Sequence, residues 1–272
     1  MQDTISKMID QLPPLPETII ELEKFKQSKE QEPETLLKII EKDPLLVAIL
    51  LKLSNSALYG FRNSVDTASK ALNLLGINFT LSFAFGYTIK QTLDTNLKAY
   101  GISSQKFMEI SNISSILTNQ WVSKIDFDLK EKLLLPVFLQ DVGMFILSNL
   151  VNDEGKTDQF YADIKSGKDV VEVEMKFFGT TTSYVTAKIF RHWNLSDKLI
   201  NMIEFVDDLD NCPDEYKYEV QILNVVKTAC NILDPLDEKS IAKAIEKAKF
   251  FNLDSTLLSE SIEKIQDRML DK

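Results

Sequence analysis

The chain has 272 residues, 44% of them hydrophobic, and 31 Lys and Arg stand against 41 Asp and Glu for a formal charge of −10 and a pI near 4.8. That length supports one large domain or two smaller ones with a sizeable core, and the acidic balance argues against binding to a phosphate backbone, which draws its affinity from clustered Lys and Arg. Two cysteines, Cys212 and Cys230, match no zinc spacing and fit a reducing compartment, so the expected location is cytoplasmic.

Helical periodicity begins at once. Ile5, Met8, Ile9 and Leu12 fall at i, i+3, i+4 and i+7 before "PPLP" breaks the segment, and a second helix restarts after Pro16. Leu36, Leu37 and Ile40 share a face. Asp43 then offers an N-cap with Pro44 at the first helical position. The helix that follows, Leu45 to Leu53, is apolar nearly all round and is expected at the centre of an N-terminal bundle. It ends in "SNSALYGF", where Gly60 can take a left-handed conformation.

A further helix runs from Thr67 to about Gly76. The segment "ALNLLGINFTLSFAF" has the outline of a helix-turn-helix, but its apolar second half and the acidic charge favour packing over DNA reading. Around "DTNLKAYGISS", residues 94 to 104, the apolar pattern gives way, which divides the chain into an N-terminal helical bundle, 1–98, and a second helical lobe, 99–272. "GKDVVEVEMKFFG" suits strand or helix by spacing, and its helical surroundings favour helix. Two later stripes are Ile222, Val226, Ala229, Leu233 and Leu258, Ile262, Ile265, Met269. The basic run Lys243, Lys247 and Lys249 reads as a solvated helix face. Cys230 lies on an apolar helical face, whereas Cys212 in "NCPD" is expected to be exposed. No apolar stretch approaches the ~18 residues of a membrane span. The fold class is therefore all-α, two packed helical lobes.

Histidine decides most of the chemistry, because the chain has one, His192. Zinc sites of the usual kind need several His or Cys ligands, and a Ser or Cys nucleophile would need His192 as its base. His192 sits near a helix C-terminus, where the dipole favours it on structural grounds alone. The eight glycines never form a GxG or Walker loop. Hard cations can live on oxygen ligands, and the one carboxylate constellation for Mg²⁺ is Asp141, Glu204, Asp207 and Asp208, of which the last two are also explained as a solvated acidic turn.

The stretch from "LPPLPETIIELEKFKQ" through "DPLLVAILLKLSNSALYG", followed by "ALNLLG", "FLQDVGMFIL" and "HWNLSDKLI", resembles the HDOD family, signalling output relatives of the HD phosphohydrolases. The resemblance covers nearly the whole chain and implies an all-α HDOD-like fold with a degenerate HD-type C-terminal lobe. It further implies that catalytic relatives bind metal through a first His, an adjacent His-Asp pair and a later Asp. Mapped by motif, the first His falls at Ile110 and the paired His at Gln140, followed by the surviving Asp141. A further His-His of many family members falls at Glu204 and Phe205.

With the ligand histidines missing, no catalytic residue, metal or cofactor is expected. The resemblance then implies a non-catalytic bacterial signal-transduction or regulatory protein acting through protein-protein interaction, including control of motility or stress responses. No nucleic-acid partner and no membrane insertion are expected. The candidate contact loop is Asn55, Ser56, Tyr59 and Gly60, with the alternative that Asn55 caps a turn and Tyr59 packs between lobes. The rival readings are a Mg-dependent phosphohydrolase using Asp141 and a pseudoenzyme that holds a nucleotide in the vestigial cleft.

Overall fold

Local signals in the sequence start and stop the helices. In the computed structural model, which describes residues 1–61, 63–93 and 96–270, the Asp43 carboxylate accepts from the amides of Leu45 and Leu46 at 2.9 and 3.2 Å, ahead of Pro44. A cap of this kind stabilises a helix by about 1 kcal/mol. Thr67, Ser103, Asp126, Asp169, Thr181 and Asp237 do the same for later helices. Gly60 closes its turn at φ +63°, in the left-handed region.

The helices described are α1 (Gln2–Asp10), α2 (Glu17–Gln27), α3 (Pro33–Glu41), α4 (Pro44–Ser54), α5 (Ala68–Leu75), α6 (Ile77–Thr92), α7 (Ser104–Val122) and α8 (Phe127–Leu139). Then come α9 (Met144–Asp153), α10 (Thr157–Lys165), α11 (Val170–Phe178), α12 (Thr182–His192), α13 (Asp197–Glu204), α14 (Lys217–Ala229), α15 (Glu238–Phe250) and α16 (Ser255–Leu270). Four short 3₁₀ turns join them, and the described residues contain no strand. The fold is all-α, as the periodicity predicts, and the ambiguous "VVEVEMKFF" is helical.

Two apolar cores lie side by side. One gathers α1 to α6 together with α9 to α13; the other gathers most of α7 with α14, α15 and α16. α8 serves both: Leu135, Phe138 and Leu139 enter the first core, while Leu133, Leu134 and Val137 enter the second. The first core thus runs well past residue 99. The expected boundary segment, 94–104, begins in residues outside those described.

Three expectations need correction. α4 is not the centre of the N-terminal bundle, because only Leu46, Leu50 and Ser54 are buried and Leu45 is 53% exposed. The centre is α6, with ten of sixteen residues buried between α5, α8 and the N-terminal helices. Cys212 is buried, since its turn folds back onto the second core. Finally, α8 and α9 together, Phe127–Asp153, form a run long and apolar enough to cross a membrane by length and composition, interrupted in sequence by Gln140 and Asp141. Its most apolar window is 89% buried inside the protein, as a core element would be.

Candidate functional site

The opening between α7, α11, α14 and α15 leads into a cavity of about 440 Å³, within the range of small-molecule sites. The turn after α8 delivers Asp141 to its floor. Gly143 makes this possible: its amide donates to Thr186 Oγ1 at 2.8 Å, and a Cβ there would lie 2.3 Å from the Thr182 carbonyl oxygen. The α8–α9 turn therefore presses directly onto α12.

Lys227 projects from α14 into the same floor. Its Nζ lies 2.7 Å from Asp207 Oδ2 and 3.2 Å from Asp141 Oδ1. Burial alone would lower the Lys227 pKa, but Asp207, Asp141 and Glu174 outweigh it and hold the ammonium above its ordinary range. Burial disfavours ionised Asp207 too, yet Lys227 and the Ser183 hydroxyl and amide keep that carboxyl below the usual value. At Asp141 burial wins: the pKa rises, with Lys227 opposing and Asp207 adding to the shift.

The third acid is Glu174, 1% exposed on α11. It accepts from the Tyr100 hydroxyl at 2.8 Å, from the Thr182 amide at 2.7 Å and from the Thr182 hydroxyl. Burial, opposed by Lys227 and reinforced by Asp207, raises its pKa to about 7. Cys230 also lines the cavity, and burial pushes its thiol up to about 12, which leaves it a poor nucleophile.

The structure scatters the carboxylates grouped from sequence. Asp141 and Asp207 meet at Lys227, but Glu204 pairs with Arg191 and Asp208 accepts from Asn211. The reason is that residues 204 to 208 straddle the end of α13, so sequence neighbours leave in different directions. Ile110 lines the cavity from α7, and Phe205 packs against the second core. Gln140 is 1% exposed, and neither atom of its side-chain amide has a hydrogen-bond partner among the described residues. Lys243 and Lys247 line the cavity, so that basic run is not simply a solvated face. Lys227 and Glu174 were missed. The available signal was a lysine set among buried Val225, Val226 and Ala229, where a charge must find a partner.

In the candidate contact loop, the side-chain polar atoms of Asn55 and Tyr59 are used inside the protein. The Asn55 amide donates to the Leu51 and Val65 carbonyls and accepts from the Val65 amide, each at 2.8 Å. The Tyr59 hydroxyl bonds to Asn112 at 2.5 Å, and its ring packs edge-on against Phe79. Gly60 faces Arg268, whose guanidinium reaches the Leu58 carbonyl at 3.2 Å. Ser56 has a buried hydroxyl with no partner among the described residues.

A family model described as the HDOD domain matches residues 12–209. The chain belongs to the HDOD family. A structure named as a phosphohydrolase from Shewanella amazonensis is 19% identical, with a TM-score of 0.72, over 97% of this chain and 94% of that one. One named as a signal transduction protein from Marinobacter aquaeolei is 18% identical, with a TM-score of 0.69, over 98% of this chain and 58% of that one. An uncharacterized protein of Treponema pallidum is 22% identical over 241 residues, and the HDOD chain spans 44% of its length.

The resemblance to HD phosphohydrolases implies a metal at Asp141, and the residues present do not fit one. Ile110 has no donor atom, and the two carboxylates that converge, Asp141 and Asp207, already neutralise an ammonium. No group of three or more His, Cys, Asp or Glu suited to a metal ion occurs among the described residues. Lys227 and the lysines of α15 lie beyond the matched segment, which ends at residue 209.

Proposed function

We propose that this HDOD protein is a non-catalytic bacterial signal-transduction module that acts by binding a protein partner in the cytoplasm. One observation carries the reading: Lys227 places a tethered cation between Asp141 and Asp207, where catalytic relatives of the HD type would need a free ion. An ammonium can neutralise carboxylates, but it offers no open coordination position to activate water. The Marinobacter protein of the same fold, named for signal transduction, is consistent with the reading.

The partner contact is not assigned to Asn55 and Tyr59, whose polar atoms hold the scaffold. Phosphate release from nucleotides and phosphodiesters, with Mg²⁺ or Mn²⁺ present, tests the reading. Wild type and Asp141→Asn should show the same background rate; turnover that Asp141→Asn abolishes would refute it.

A further inference from the structure

The cavity has a second charged wall that the acid–lysine cluster does not use. Lys239, Lys243 and Lys247 stand at i, i+4 and i+8 on α15, one face of a helix, and all three line the opening. None forms an ion pair among the described residues. Lys247 is half-buried with only neutral acceptors, Asn224 Oδ1 at 2.8 Å and Thr228 Oγ1 at 2.9 Å. Burial, together with the neighbouring Lys227 and Lys243, outweighs Asp169 and Asp207, which attract this ammonium through space without pairing with it, so the charge is only partly compensated in a chain of net charge −10. The rest of the lining includes aliphatic side chains, among them Val170, Val171, Ile232 and Leu233, and the carboxylates of Asp169, Asp234 and Asp237, the last of which is engaged in capping α15.

We propose that this cavity binds a small organic anion, its acidic head between Lys243 and Lys247 and its apolar body against the aliphatic wall, as the effector of the module. The inference rests on the regulatory reading above, because it takes the cleft to hold its ligand without converting it. A phosphate or a carboxylate head supplies the same chemistry, and about 440 Å³ accommodates a body of one or two rings or a medium acyl chain.

The test uses the full chain and 1-anilinonaphthalene-8-sulfonate as a fluorescent probe, with adenosine 5′-monophosphate and octanoate as competitors and adenosine as the uncharged control. One saturable site is expected, with affinity reduced about tenfold or more in Lys243→Gln/Lys247→Gln and falling between about 50 and about 500 mM salt. The monophosphate or octanoate should displace the probe, which identifies the head group, and adenosine should not. Because Lys247 also holds Asn224 and Thr228, the exposed Lys243→Gln alone serves as a second variant, with a smaller loss in the same direction. Equal affinity in both variants, displacement by neither anion, or no saturable site overturns the proposal. Hydrolysis of bound monophosphate would sink the regulatory reading and leave the anion site standing, whereas no binding and no hydrolysis would do the reverse.

Discussion

Replacing Lys227 by Met removes the ammonium and keeps most of the side-chain volume. At 2.7 and 3.2 Å, the gross attraction at an effective dielectric of about 20 is about 6 and about 5 kcal/mol for the two carboxylates. Most of that is offset by desolvation, and the measured cost of stranding a buried partner is about 3–5 kcal/mol. For a chain of this length a loss of that size lowers Tm by about 10 °C. The deficit also has a pH signature. Wild-type Asp207 has a depressed pKa, so its contribution persists above the ordinary carboxylate value and disappears only as pH falls through the folded one. In the variant, uncompensated carboxylates take up protons more readily, so the gap between the two proteins should be full near pH 8 and shrink towards pH 5. Thermal unfolding followed by circular dichroism at both pH values measures it. An unchanged Tm at pH 8, or a deficit of the same size at pH 5, would refute the reasoning.

Glu174 titrates in the opposite sense. Its folded pKa of about 7 lies above the ordinary 4.5, so the native state binds the extra proton and stability declines as pH rises from about 4.5 to about 7, by at most about 3 kcal/mol. Glu174→Gln should flatten that slope in denaturant titrations, and an unchanged slope would assign it elsewhere. Gly143→Ala should cost about 3 kcal/mol or prevent folding, because its Cβ would meet the Thr182 carbonyl and the Thr186 amide at 2.3 and 2.8 Å; a variant of wild-type Tm contradicts the close approach of the α8–α9 turn to α12. Asn55→Ala should cost about 1–3 kcal/mol by leaving the turn after α4 without its three bonds. A folded Asn55→Ala protein of unchanged stability would return this residue to the surface as a candidate contact.

Elements with a local cause were readable in the chain. Asp43-Pro44, Gly60 and the break after His192, where Asn194 takes φ +54°, each follow from one or two residues. Depth was less readable. α4 and α6 are both apolar on nearly every face, but only neighbours in space decide which is central, and α6 has α5 and α8 against it while α4 leaves Leu45 outside. At the site, Asp141 stood out because a family motif frames it. Glu174 and Lys227 did not, because the burial that makes them important arises when α11 and α14 meet across the cavity; Glu174 looks like an ordinary charged position on an amphipathic helix, and only the apolar neighbours of Lys227 carry a local sign of it. Spacing in the sequence likewise grouped Glu204 with Asp207, which the end of α13 separates.

The central claim is that the cluster at Asp141 carries its own cation. Calorimetric titration of Mn²⁺ into the wild-type chain, beside Lys227→Ala, tests it most directly. The account predicts no saturable binding by wild type below millimolar metal and a new, weak site in the variant, whose carboxylates are freed. One tight Mn²⁺ site per wild-type chain, lost in Asp141→Asn, would contradict it.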